Sequence, residues 1–337
     1  MGFLLEQREP LPQKDFEIIE IPGLENRFNA AAWPTTDGAI MLLAREVKNA
    51  AKEGKPDIGP LIRLKIDTRI VAVCLEDYDP MADKVVWDPE GQEILLEDPR
   101  AALLPDGAGV VLGLTAVVAE DADRIPYPAI TYLNSGDEFE QIIVNQKHIV
   151  RNFGPGKNTT PLNDGTFLFR KEGDENNHRL THFSIDENTN EARELEGIDF
   201  PSDLEWAKWR IGTAMPPIPI NDSEYLMIFH GVRRENGKFI YSLGRAELVK
   251  DEKGKLAVGR VDNQPVLTRN DFRSITEELH PGEKQVVYAC GGVIEGDNKT
   301  APKILNLFVN VGDSKTVMVR FPLDALVDIN KPLRNDK

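Results

Sequence analysis

Short apolar runs cut by turn signals constrain this chain more than any other feature. From AIMLLARE at 39–46 through GVVLGLTAVVA, EYLMIFHGV and KILNLFVNVG to TVMVRFPL at 316–323, they recur throughout, mostly bounded by Gly, Pro, Asn or Asp. Runs so short and so punctuated specify β-strands joined by tight turns, whereas a helix would need a longer stretch of 3.6-residue periodicity. Only DPMADKVV (79–86) and SDLEWAKWR (202–210) offer a helical turn or two, the second with Ser202 or Asp203 as its N-cap. Hairpin signals (TTDGA, LPDGAG, LNDGTF, RENGKF, DEKGKL) are spread along the whole length, with no linker and no shift in composition. The chain therefore reads as one all-β domain over residues 1–337. So many strands exceed what one open sheet holds. Apolar pairs joined by DG or NG turns recur at blade spacing, which favours a propeller of roughly four-stranded blades over a sandwich.

Charge and composition remove several functional classes. The net charge is -16 and the acidic residues are dispersed, which argues against nucleic acid or an anionic membrane as partner. No leader-like apolar core follows a basic start, and no run approaches a bilayer span, so the expectation is a soluble, cytoplasmic protein. Cys74 and Cys290 each lie inside an apolar run and read as buried thiols. His148, His178, His182 and His280 stand in polar or loop contexts with no Cys or carboxylate at ligand spacing, so no metal is expected. Nucleophile-elbow, phosphate-loop and dinucleotide-binding glycine motifs are all absent from the sequence.

In a propeller the innermost strands surround a central channel, so polar residues at the ends of apolar runs converge from distant parts of the sequence. That search yields Asn29 and Arg45 from the first blade and Glu97, Asp98 and Arg100 from the second. The third supplies Lys157 and Arg170, the fourth Arg210, His230 and Tyr241, and the last Asp313. Cations dominate this set in an acidic protein. Convergent Lys and Arg point to an anionic ligand, and phosphate best suits the arginine fork. The segment EILLEDPRAALLPDG adds an acid: Asp98 is expected at a strand end facing the channel, with Pro99 stopping the ladder there. The plainer alternative is a surface turn in which Arg100 pairs with Glu97.

LLEDPRAALLPDG resembles the Glu-Asp-Pro-Arg motif of glycoside hydrolase family 130, the mannoside phosphorylases and mannosidases, which are five-bladed β-propellers. Four further pieces match that family in order: RFNAAAW with LLARE, GPGKNTTPLNDGTFLFR, WRIGTAMPPIPINDSEYLMIFHGV, and VVYACGGVIEGDN with VNVGDSKTVMVRFPLDAL. Departures occur as well. The Phe-Pro step usual after the first basic residue is missing, Arg210 stands where relatives often carry Lys, and Gly212-Thr213-Ala214 replaces Gly-x-Gly. The short GPGKN loop is also similar to the β-1,2-mannosyltransferase/phosphorylases of glycosyltransferase family 108.

The resemblance implies a five-bladed β-propeller and a set of roles. Asp98 would be the catalytic acid. Lys157, Arg170, Arg210, His230 and Tyr241 would hold phosphate, and Asn29, Arg45, Glu97 and Asp313 would grip the mannosyl ring. The activity implied is reversible, inverting phosphorolysis of a β-mannoside to α-mannose 1-phosphate, with an oligosaccharide or other mannoside as substrate. Inorganic phosphate would be the co-substrate and no cofactor is needed; the oligomeric state, homo-oligomer included, stays open. Counting carboxylates agrees, because inverting hydrolysis needs a second one to activate water whereas phosphate is already a nucleophile. A β-mannosidase, a GDP-mannose-dependent mannosyltransferase and a non-catalytic sugar-binding propeller remain as alternatives.

Overall fold

The structure, a computed structural model, describes residues 16–25, 27–35, 38–47, 68–75, 84–87, 94–104, 109–120, 123–134, 148–173, 177–186, 191–276, 286–296, 301–312 and 315–329. They form five antiparallel sheets arranged as a five-bladed β-propeller. Strand β1 (Glu17–Glu25) belongs to the last blade. The first blade is β2 (Arg27–Pro34), β3 (Ile40–Val47), β4 (Thr68–Cys74) and β5 (Lys84–Trp87). The second is β6 (Ile94–Leu103), β7 (Gly109–Glu120) and β8 (Asp123–Asn134), and the third β9 (Gly156–Pro161), β10 (Phe167–Lys171), β11 (Arg179–Asp186) and β12 (Glu191–Asp199). The fourth contains β13 (Arg210–Thr213), β14 (Ile218–Pro219), β15 (Glu224–Glu235), β16 (Lys238–Lys250) and β17 (Leu256–Val261). The fifth runs outward from β18 (Val287–Glu295) through β19 (Ile304–Val311) and β20 (Lys315–Pro322) to β1. Both ends of the described chain thus share one blade, with Ile18 opposite Val319 closing the ring.

The core is distributed. Five apolar clusters lie one between each pair of neighbouring blades: Leu42 and Val71 against Phe308, for example, and Val111 and Ile130 against Phe167 and Phe183. Each sheet is therefore apolar on both faces, which is why the strands read as nearly continuous apolar runs rather than clean alternation. The turn signals behave as their chemistry requires. In RENGKF, Asn236 and Gly237 both have positive φ, the geometry of a two-residue hairpin whose twist suits the strands.

The two segments with helical signals fare differently. The last three residues of the first, 84–86, lie in strand β5, and residues 79–83 lie outside the described residues. In the second, only a 3-10 turn forms, Glu205–Ala207, capped by Leu204 with no side-chain hydrogen bond from Ser202 or Asp203. Its Trp206 is buried against the strand surface at Gly231 and Gly244, where a Cβ would come within 2.4 Å and 2.3 Å of the indole. Anchored there, the chain enters β13 at once, leaving no length for a helix. Short helices form instead at Arg273–Thr276 and Leu323–Val327.

One irregularity repeats around the ring. In β6, Glu97 pairs with Thr115 and Arg100 with Gly113, so Asp98 and Pro99 together face Leu114. In β2 the residues doubled up are Asn29 and Ala30, opposite Ala44; in β9 they are Asn158 and Thr159, opposite Phe169. Strand β18 has a register shift between Ala289 and Gly291. Asn29, Asp98 and Asn158 have φ of 53°, 50° and 63°, a region that Asn and Asp tolerate better than other non-glycine residues. Asp98 is therefore not at a strand end and Pro99 does not stop the ladder. Strand β6 passes through both to Leu103, and the bulge absorbs the proline's missing N–H.

Candidate functional site

The bulges turn Asn29, Asp98 and Asn158 toward the channel, and the candidate site is built around them. Asn29 Nδ2 donates to Asp98 Oδ1 at 2.6 Å, and Arg45 Nη1 donates to the same oxygen at 2.9 Å. Arg45 also lies 3.8 Å from Glu97, whose other oxygen accepts from Lys157 Nζ at 3.3 Å. Side chains from three blades thus meet within one network. The Asp98 carboxyl is nearly buried, and burial alone would favour its neutral form. Arg45, Arg100 and Lys157, with the Asn29 hydrogen bond, outweigh that and hold it below the usual carboxylate range.

Arg100 does not pair with Glu97 as the surface-turn reading requires. Fully buried, it crosses the channel, donating to the carbonyls of Ala214 and Thr213 (3.0 Å each) and to Tyr288 Oη at 2.6 Å. It also donates to the Asp98 carbonyl at 2.9 Å, stiffening the bulge that presents the acid. Burial opposes its charge, but Tyr288, Cys290 and Asp98 keep the guanidinium ionised. Tyr288 accepts from Asn158 Nδ2 as well, at 2.6 Å. Burial drives its phenol well above the ordinary tyrosine range, so it stays protonated.

The remaining cations line the third and fourth blades. Arg210 Nη2 donates to Tyr241 Oη at 2.6 Å, and the His230 ring lies 4.6 Å from Tyr288 and 6.1 Å from Tyr241. Arg170, one step along the ladder from β9 at Lys157, hydrogen-bonds Glu172. His230 is buried and surrounded by Arg170, Arg100 and Arg210; burial first, then those charges, push its pKa well below 6.5 and leave the imidazole neutral. His230 Nδ1, Arg210 Nε and Asn158 Oδ1 are buried atoms that make no hydrogen bond among the described residues. Altogether Arg45, Arg100, Lys157, Arg170 and Arg210 face Glu97, Asp98 and Glu172, an excess of two positive charges. Such a wall suits a dianion held by several fixed donors.

Ten of the eleven residues expected at the site are placed in this network or beside it; Asp313 lies outside the described residues. Sequence reasoning missed Tyr288, Asn158 and Glu172. Asn158 carries a signal available in hindsight, since it repeats the third-position Asn of strand β2. Tyr288 and Glu172 carry none, being one aromatic in an apolar run and one acid in a charged turn. The HGVRRENGK segment forms a hairpin exposed at its tip, where Arg233 pairs with Glu235 and Arg234 covers the rings of Trp209 and Phe239. Cys290 is buried, whereas the Cys74 side chain lies outside what the structure describes. His178, in the turn before β11, and His182, within that strand, are both buried, His182 between Glu196 (2.6 Å) and Thr166 (2.7 Å). Among the described residues no cluster of His, Cys, Asp or Glu is placed to hold a metal ion.

No family model matches the chain, and no curated protein matches it by sequence. Solved structures do. β-1,2-Mannobiose phosphorylase from Listeria innocua, in complex with β-1,2-mannobiose, is similar with a TM-score of 0.53 at 18% identity, over 94% of each chain. An endo-arabinase from Bacteroides thetaiotaomicron is similar with a TM-score of 0.50 at 11% identity, over 90% of this chain and 96% of the other. At such identities the likeness concerns the fold.

Proposed function

We propose that this propeller is a carbohydrate-active enzyme, a glycoside phosphorylase that cleaves a β-mannoside with phosphate to give α-mannose 1-phosphate with inversion. One observation carries the reading: Asp98, a channel-facing acid on a strained bulge, stands beside a cationic wall whose charge excess matches a phosphate dianion. Lys157, Arg170, Arg210, neutral His230 and Tyr241 hold the phosphate. Asn29, Arg45 and Glu97, and Asp313 by resemblance, grip the mannosyl ring. That a mannobiose phosphorylase shares the fold supports the assignment, since the architecture accommodates this chemistry.

Asp98 as described is ionised, and a general acid has to be protonated. Phosphate resolves the difficulty. Its two negative charges offset Lys157 and the neighbouring arginines, removing the influence that depresses the Asp98 pKa. Asp98 then protonates the departing glycosidic oxygen while a phosphate oxygen bonds to the anomeric carbon. The proton of the monohydrogen phosphate returns to Asp98, so the cycle closes without another acid or base.

The deciding experiment incubates the protein with α-mannose 1-phosphate and a panel of acceptor sugars and measures phosphate release. Release with at least one acceptor is expected. No release, together with hydrolysis of a mannoside in phosphate-free buffer, would establish a hydrolase instead, and GDP release from GDP-mannose a nucleotide-sugar transferase. Sugar binding with no turnover of any donor would mark a non-catalytic lectin-like propeller.

A further inference from the structure

Glu172 is the one carboxylate among the described residues that sits against the cationic wall without touching the Asp98 network. It follows strand β10 directly, and its backbone N–H donates to the Pro155 carbonyl at 2.9 Å, which fixes the turn that carries it. Its side chain accepts a hydrogen bond from Arg170 Nη2 while remaining one-third exposed at the rim. Burial would favour its neutral form, but Arg170, then Arg210 and Lys157, hold it ionised. Those are three of the five groups assigned to phosphate.

A carboxylate in that position cannot help to bind a dianion. It lowers the positive potential where phosphate is held, and it takes up a donor of Arg170. Retaining such a group makes physical sense if it acts before phosphate arrives. Arg170, Arg210 and Lys157 repel one another, and an anchored carboxylate keeps them gathered. Arg170, with its side chain 5% exposed, has a hydrogen-bonding partner there that its burial demands.

We propose that Glu172 is an internal counter-anion of the phosphate site: it positions Arg170 between turnovers and yields that guanidinium when phosphate binds. The proposal rests on the reading of the cationic wall as a phosphate site. Glu172 acts through Arg170 and is a positioning residue, not a catalytic one. Its consequence is a site tuned to release phosphate or sugar phosphate, with affinity surrendered for turnover.

Calorimetric titration with inorganic phosphate, and with sulfate as a second dianion, tests the idea in wild type, Glu172→Gln and Glu172→Asp, folding being checked by circular dichroism. Removing one negative charge at the wall should lower the Kd of Glu172→Gln for both anions about tenfold, after solvent screening of the Coulomb attraction. Glu172→Asp keeps the charge and should show no gain. In turnover, the KM for phosphate should fall in Glu172→Gln by more than the KM for the mannoside. Equal or weaker anion binding by Glu172→Gln, with wild type binding normally, would overturn the role of Glu172 alone. Failure of both anions to bind wild type and variant alike would overturn this proposal and the phosphate reading together.

Discussion

Two residues of the site behave oppositely in ways their identities alone do not announce. Asp98, an acid in a nearly buried bulge, stays ionised because Arg45, Arg100 and Lys157 surround it; His230, a base, stays neutral because burial and three arginines refuse it a proton. Replacing Asp98 with Asn keeps a residue tolerant of positive φ and removes the carboxyl that would donate the proton. We expect turnover to fall about 10³-fold in a phosphate-release assay, with anion binding retained. His230 predicts a pH dependence of stability. Below 6.5 the unfolded chain takes up a proton that the native imidazole rejects, so stability should decline as pH drops from there. The depressed carboxylates Asp98 and Glu172 act lower: their stabilisation is complete above their ordinary range near pH 4 and disappears as pH falls through their folded values. In His230→Gln the slope between about pH 6.5 and 4 should flatten by up to about 1.4 kcal/mol per pH unit, read from denaturant melts across that window.

At the scale of strands, the repeated bulge gives the site its form. A regular strand pointing its side chains into the neighbouring blades would leave the channel lined with backbone; one extra residue re-aims Asn29, Asp98 and Asn158 inward. Existence and type of the strands were legible, because both faces of each sheet are apolar and the turns carry Gly, Asn and Asp. The bulges were not: EDPR reads equally well as a strand end, and only the pairing of Glu97 with Thr115 and Arg100 with Gly113 reveals that β6 continues. The helical signal at 202–210 yields one 3-10 turn, Glu205–Ala207, whose N-cap is Leu204 and not Ser202 or Asp203. Two glycines separate the scaffold from the site. A Cβ on Gly113 would lie 2.3 Å from the Thr159 carbonyl oxygen of the next blade, so Gly113→Ala should cost about 3 kcal/mol, measured as a lowered Tm. On Gly212 it would meet His230 at 2.5 Å and Asn158 at 2.6 Å, side chains able to shift. Gly212→Ala should therefore weaken phosphate binding about tenfold, by titration, with a smaller loss of stability.

At the scale of the whole molecule, the ring closes by pairing β1 with β20, and Arg100 spans the channel from the second blade to the fourth and fifth. Deleting residues 17–25 should uncover the edge of β20 and the apolar faces of the closing blade, lowering Tm by at least about 5 °C and promoting aggregation, both followed by light scattering during a thermal ramp. The sequence by itself determined the strand class, the blade count implied by its resemblance, and the convergence of one acid with several cations, because these depend on local periodicity, turn chemistry and residue type. Only the tertiary structure decided which way the Asp98 pKa moves, that Arg100 is a buried strut and not a surface partner of Glu97, and that Tyr288 and Glu172 join the site. Each of those outcomes is set by burial and by charges from other blades, distances that no local stretch of sequence contains.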